Sequence, residues 1–408
     1  MIDIKLVREN PEKVKKACEN KQVEVDIDRI LELDKKRREI IQKIETLKSE
    51  QKKMGKEQVE EAKELKNKIK ELEPELEKAE KEFSELFLQI PNLPLDDVPI
   101  GKDASENKVI KTVGPSFAKA SEGKKDYLEL AENLDIIDVK RAAKVSGTRF
   151  GYLKGGAALL EFGLIKLAFD TLIKEKFVPV IPPVMIKTGM MKAMGYVERG
   201  REEIYFLKND DLVLVGTSEQ SIGPMHSDEV FEEKELSKRY VSFSTCFRRE
   251  AGSYGRDTKG ILRVHQFDKI EMFIFCKPED SAKEYKLLLS MQEKLMQMLK
   301  IPYRVVQMCT GDLGDPAAAK YDIEAWFPGQ NEYRETHSTS NCTDFQARRL
   351  NIRYKSKKGL EFVYTLNGTA FSQRPILAII ENYQKKDGSI EVPKVLRKYT
   401  GIKCITTK

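Results

Sequence analysis

Five cations crowd one stretch of this 408-residue chain: Arg248, Arg249, Arg256, Lys259 and Arg263 fall in a glycine-rich segment between two strand-like ends. Guanidinium forks make paired contacts to phosphate or carboxylate oxygens, so such a hairpin can wrap a polyphosphate. A solvated basic hairpin is the plainer alternative. Other chemistries find no support. There is no GxGxxG after a strand and no GxxxxGK[ST], which speaks against a dinucleotide fold and a P-loop. The six cysteines lie far apart with no CxxC pair, which fits a reducing compartment better than a disulfide framework or zinc ribbon. Of the three histidines, His226 carries no signal, His265 supports the basic hairpin, and His337 falls between Glu335 and Ser338, where it can alternate to the opposite strand face.

Phe247-Arg248-Arg249-Glu250, the loop and His265-Gln266-Phe267 together resemble motif 2 of the class II aminoacyl-tRNA synthetases, and the string from Glu250 to Met272 resembles the seryl-tRNA synthetase family in particular. Thr217-Ser218-Glu219 is similar to that family's Thr-Ala-Glu loop, with Ser218 in place of alanine. The run from Glu335 to Arg349 resembles its metal and ATP segment. The run from Leu366 through Arg374 to Gln384 resembles motif 3, one residue short between Thr369 and Arg374. Pro182-Pro183 after Phe177-Val178 fits motif 1, the dimer-interface strand.

The resemblance implies serine–tRNA ligase chemistry: ATP activates serine to seryl-adenylate, and the seryl group passes to the 3′ end of serine tRNA, with selenocysteine tRNA an open second acceptor. It implies ATP and Mg²⁺ as co-reactants, a homodimer, and a cytoplasmic enzyme. Arg248, Glu335 and Arg374 become the catalytic set. Thr217, Glu219, Arg248, Glu271, Asn367 and Thr369 become the serine site. Arg248, Arg249, Glu250, Phe267, Glu335, Thr336, His337, Ser338 and Arg374 become the ATP site, with Glu335 and Ser338 holding the metal. A catalytically inactive paralogue that binds nucleic acid is the alternative. It predicts loss of at least one of Arg248, Glu271, Glu335 or Arg374, and all four are present.

These residues need a frame. Beyond Tyr127 the pattern reads as a helix over 159–176, an extended proline-broken run from Phe177, β-like runs at 204–207, 212–215, 240–243, 269–276, 303–308 and 321–327, and a helix over 282–299. Strands joined mostly by hairpins suggest an antiparallel sheet. Ahead of them, residues 28–90 carry 33 charges, with apolar residues spaced by alternating threes and fours. Ile30, Leu33, Ile40, Ile44, Leu47 and Met54 line the first arm, with Arg37 and Gln51 in the same seam; Ala62, Leu65, Ile69, Leu72, Leu76, Ala79, Phe83, Leu86 and Ile90 line the second. That is a coiled-coil stripe. Gly55 offers a turn, and Pro74 a kink or one opened hydrogen bond. The expected fold is α+β: an N-terminal antiparallel helical hairpin and a class II catalytic domain on an antiparallel sheet flanked by helices. The boundaries are 1–100 for a tRNA-binding domain, 101–125 for a linker or variable loop, and 126–408 for catalysis.

The formal charge of +6 is unevenly spread: the first arm nets +4 over 28–56 and the second −5 over 57–90. If the arm grips RNA phosphates, Arg37, Arg38, Lys52 and Lys53 on the first helix are the candidates. No uncharged apolar run of 18 residues exists and the first twenty residues hold no apolar signal core, so neither a membrane span nor a secretory signal is expected.

Overall fold

The computed structural model describes residues 1–55, 58–114, 123–251 and 259–407, so Arg256 and the core of the 112–125 segment lie outside the described residues. Met1–Leu93 and Pro94–Lys408 form two compact units.

In the first unit, α1 (Ile27–Lys53) and α2 (Val59–Phe87) form the hairpin. The Asp26 carboxylate caps α1 by accepting from the Arg29 amide at 2.8 Å. Arg29 pairs with Glu82 at 2.6 Å, Lys36 with Glu75 at 2.9 Å, and Gln51 Nε2 donates to the Ala62 carbonyl at 3.1 Å. Partners advance along one helix as they recede along the other, so the pair is antiparallel. Ile40, Ile44 and Ile69 are buried in the seam, with Leu47, Leu72 and Leu76 packed against them. The two polar seam positions are used: Gln51 ties the arms near the turn, and the Arg37 guanidinium lies 4.6 Å from the Phe83 ring centroid. The α2 helix runs on through Pro74, whose ring is exposed.

The second unit is built on an eight-stranded sheet. Its strands are β1 (Lys108–Val113), β2 (Val178–Val180), β3 (Lys238–Phe247), β4 (Gln266–Cys276), β5 (Tyr303–Gln307), β6 (Ala319–Phe327), β7 (Glu332–Asn341) and β8 (Tyr364–Ser372). The spatial order is β1-β5-β6-β7-β8-β4-β3-β2. All pairings are antiparallel except β2 with β3. Three helices pack on it: α3 (Gly156–Leu172), α4 (Ser281–Leu299) and α5 (Arg374–Asn382), and their apolar faces join the central core.

One expectation needs correction, two central strands are not read from the sequence, and two expected short strands lie apart from the main sheet. The segment 101–125, read as a linker or loop, supplies edge strand β1; its side chains are mostly exposed, so a polar sequence suffices there. The central strands β7 and β8 are not legible from periodicity, because β7 is almost wholly polar, with Tyr333 its one large apolar ring, and β8 is buried along nearly its whole length rather than alternately. The runs at 204–207 and 212–215 form short strands, Phe206–Leu207 and Leu212–Leu214, in a separate three-stranded sheet with Met185–Lys187.

Candidate active site

The site opens where two central strands part. The β7–β8 ladder runs from Asn341↔Leu366 to Thr339↔Gly368 and stops there. Gln292 of α4 stands at this fork, fully buried, and its Nε2 donates to the Ser338 carbonyl at 2.7 Å and the Thr369 carbonyl at 2.9 Å. Gly368 makes room for it, since a Cβ there would lie 2.9 Å from Thr339 Oγ1 and 3.3 Å from the Gln292 amide nitrogen.

Two bulges then aim the side chains. Ile323 pairs with His337 but Glu324 pairs with Glu335, leaving Thr336 as an extra residue in β7. In a regular strand Glu335 and Ser338 would face opposite ways; the bulge brings both to the cavity. In β8, Ile270 pairs with Phe371 but Glu271 pairs with Thr369, leaving Ala370 extra.

Beyond the fork lies a cavity of about 300 Å³, lined by Arg248, Glu250, Phe267, Glu335, Thr336, Ser338, Thr369 and Arg374 among others. Arg374, the first residue of α5, donates from Nη1 to the Glu335 carbonyl at 2.9 Å and lies 3.0 Å from its Oε2. Burial by itself would raise the Glu335 carboxyl; Arg374, Lys320 and Arg248 outweigh it and hold the group down at about 2. Glu250 receives Arg263 Nη1 at 2.6 Å, and Arg248 lies 5.1 Å from the Phe267 ring centroid while its Nε donates to the Gly216 carbonyl at 3.2 Å. The short segment between Thr369 and Arg374 stays extended through Ser372, so α5 starts with its arginine over the cavity.

An adjoining cavity of about 490 Å³ is lined by Tyr196, Thr217, Glu219, Ser340, Cys342 and Asn367, and shares Arg248, Glu250, Arg263, Lys269, Lys320 and Ser338 with the first. Lys269 is ion-paired with Glu271 and donates to Thr217 Oγ1 at 3.1 Å. Tyr196 donates its phenol proton to Glu219. Burial pushes the Glu219 carboxyl up against the pull of Lys269, and pushes Glu271 up to about 7.

Sequence reasoning named most of these residues. Thr369, grouped by the sequence with Thr217 and Glu219, lines the first cavity and not the second, and three others fall outside both. Arg249 is exposed and outside both cavity linings. His337 is buried with its ring 5.7 Å from Phe371, and burial pushes its imidazole down to about 3, so it is a neutral core group rather than part of the cavity wall. Glu271 is 1% exposed and lies beneath the wall, behind Lys269. On the hairpin, Lys52 and Lys53 are exposed, whereas Arg37 and Arg38 are ion-paired to Asp34 at 3.3 and 3.1 Å. Sequence reasoning missed Tyr196, Lys269, Gln292 and Lys320. No motif frames Tyr196, Gln292 or Lys320; Lys269 sits two residues before Glu271, a spacing that in a strand puts both on one face.

Comparison with known proteins gives the chain its family. Residues 1–94 match the seryl-tRNA synthetase N-terminal domain, and residues 205–383 match the class II tRNA synthetase core domain of the glycine, histidine, proline, serine and threonine enzymes. Over 425 aligned positions the chain is 46% identical to a serine–tRNA ligase of Dictyoglomus thermophilum, covering all of both chains. The chain belongs to the seryl-tRNA synthetase family. Among solved structures of that family, it superimposes on seryl-tRNA synthetase from Pyrococcus horikoshii, crystallised with ATP, with a TM-score of 0.92 at 41% identity, covering all of both chains. Against the cytoplasmic serine–tRNA ligase of Naegleria fowleri in complex with AMP, the TM-score is 0.90 at 35% identity, covering 100% of this chain and 99% of the other. The seryl-tRNA synthetase N-terminal match spans the whole helical hairpin, and the core match spans every residue from Thr217 to Arg374 described above.

Proposed function

We propose that the two adjoining cavities divide the work of a serine–tRNA ligase, ATP in the first and serine in the second. The activity is ATP-dependent serylation of tRNA. The observation that carries the division of labour is the convergence of Arg248, Glu335 and Arg374 on one cavity that shares a wall with Thr217, Glu219 and Asn367.

In the first step an oxygen of the serine carboxylate bonds to the α-phosphorus of ATP. The bond from that phosphorus to the bridging oxygen breaks, and pyrophosphate leaves with the electron pair. The nucleophile is already anionic, so the protein supplies position and positive charge rather than a base. Arg248, at the junction, faces the serine carboxylate and the α-phosphate. Arg374 faces the other phosphates. Phe267 and Glu250 take the adenine ring and its amino group. Glu219 and Thr217 receive the serine ammonium, which offsets the burial that raises the Glu219 carboxyl. Glu271, just under the wall that the two cavities share at Lys269, and Thr369 read the hydroxyl, and Asn367 lines the pocket; Glu271 Oε2 holds Lys269, while its Oε1 accepts no hydrogen bond among the described residues. Alanine would leave such groups unpaired and is rejected accordingly. In the second step the terminal ribose hydroxyl of tRNA attacks the adenylate carbonyl and AMP leaves.

Glu335 and Ser338 fit a Mg²⁺ ion. The Glu335 carboxylate is held ionised and is 46% open, and one or two protein oxygens suit a metal that also binds substrate phosphates. When bound, the ion neutralises phosphate charge.

The arm is assigned to tRNA, with Lys52 and Lys53 exposed at the end of the basic helix. A homodimer is supported by exposed apolar residues on α3 and around β2: Phe162 is 68%, Val178 53% and Ile181 83% exposed. A cytoplasmic setting is supported by the six cysteines, none of which is in a disulfide.

Amino-acid-dependent ATP–pyrophosphate exchange tests the reading: serine alone of the twenty should drive it, and exchange driven equally by threonine or alanine would overturn it. Sedimentation should give a dimer that Phe162→Glu dissociates. Charging of serine and selenocysteine tRNAs side by side decides whether the second is an acceptor.

A further inference from the structure

Lys320 belongs to none of the motif segments, yet it lines both cavities. It is the second residue of β6, pairs with Ser340 of β7 in register, and its side chain is 24% exposed. Asp322, two residues on and on the same face, holds its Nζ at 3.1 Å. Asp322 is itself 5% exposed, lines neither cavity, and its second oxygen accepts no hydrogen bond among the described residues, so its visible partner is the lysine.

The sheet order gives Lys320 its meaning. Strands β7, β8 and β4 carry Glu335 and Ser338, Asn367 and Thr369, and Lys269 and Glu271; they are flanked by β6 on one side and β3 on the other. Lys320 comes from the first flank, and Arg248 directly follows the second. The other cations shared by the two cavities are paired with carboxylates assigned to the substrates, Lys269 with Glu271 and Arg263 with Glu250. Adenylation brings two anions together, the serine carboxylate and the α-phosphoryl group, and charge builds on the phosphoryl oxygens as the new bond forms.

We infer that Lys320 is a second catalytic cation at this junction, meeting the non-bridging α-phosphoryl oxygens on which charge builds as the serine carboxylate attacks, from the side opposite Arg248, with Asp322 as its positioning residue. This rests on the serine and ATP assignment above. Charge that meets the transition state rather than either substrate acts on turnover more than on binding.

The test is serine-dependent ATP–pyrophosphate exchange with Lys320→Met, Lys320→Arg and Asp322→Asn, alongside equilibrium ATP binding. Lys320→Met should lower kcat by roughly 100-fold or more, the loss typical for one charge-stabilising donor, while both KM values and ATP affinity move by no more than about threefold. Lys320→Arg should recover part of the loss. Asp322→Asn should give a smaller kcat loss with the same unchanged KM values. A Lys320→Met enzyme within about threefold of wild type, or one whose kcat falls only together with ATP affinity, overturns the inference. A wild type inert toward serine would strike the functional reading instead.

Discussion

Glu271 of β4 and Thr369 of β8 stand directly opposite each other, and they do so because Ala370 is an extra residue in the facing strand. Without the bulge Glu271 would face Ala370, and Thr369 would shift along the ladder. The two groups assigned to the serine hydroxyl are therefore brought into register by a residue that takes no part in binding. Thr369→Val keeps the shape and removes the hydroxyl. One hydrogen bond is worth about 1 kcal/mol, so KM for serine should rise roughly 5- to 10-fold, with KM for ATP unchanged and discrimination against alanine reduced. Exchange kinetics with serine, alanine and ATP varied in turn measure all three.

Arg374 grips Glu335 through both its carbonyl and its carboxylate. Arg374→Met should lower serine-dependent exchange by about 100- to 1,000-fold. Arg374→Lys should recover little, because an ammonium cannot span two acceptors and a phosphate as a fork does. Recovery by lysine to near wild-type rates would show that charge alone is needed.

Lys52 and Lys53 differ from Arg37 in how they are held. Arg37 packs on Phe83 and pairs with Asp34, while the two lysines are exposed. The double change Lys52→Gln, Lys53→Gln should weaken tRNA binding and reduce the slope of log affinity against log salt by up to about 1.8, leaving serine activation intact. Arg37→Ala should instead lower the melting temperature of the helical unit. Filter binding across a salt series and circular dichroism separate the two outcomes.

Asp34 is the fixed point of the first unit. Its side chain is 1% exposed and accepts two hydrogen bonds from Arg8, at 2.7 and 2.8 Å, and one each from Arg37 and Arg38. Burial pushes its carboxyl up, but the three arginines prevail and hold it below the usual range. Since the folded value lies below the unfolded one of about 3.9, its contribution is complete above that pH and is lost as pH falls through the folded value. Asp34→Ala should cost about 3 kcal/mol near neutral pH, with the gap to wild type closing in acid. Thermal melts of the helical signal at neutral and acid pH check both parts.

What the sequence determined by itself was whatever repeats or is spelled out locally. The hairpin is legible because its apolar residues recur every three or four positions, and its two helices fall within a few residues of the expected limits. The motif segments are legible because loops such as Thr217–Glu219 and 247–267 carry unusual residue types in a fixed order. What only the tertiary structure decided is how strands distant in sequence meet. Neither bulge can be read from β7 or β8 alone, because a bulge is a property of a pair of strands: Thr336 and Ala370 are extra only relative to Ile323–Glu324 and Ile270–Glu271. The fork that opens the cavity depends on Gln292, a polar residue inside a helix whose pattern marks it merely as buried or exposed. His337 went the other way, drawn toward the site by its sequence neighbours and turned into the core by the bulge beside it. Lys320 is an ordinary lysine in an ordinary strand until the sheet order sets it across three strands from Arg248. Local pattern names the groups that can do chemistry; the pairing of strands far apart in the chain selects which of them face one another.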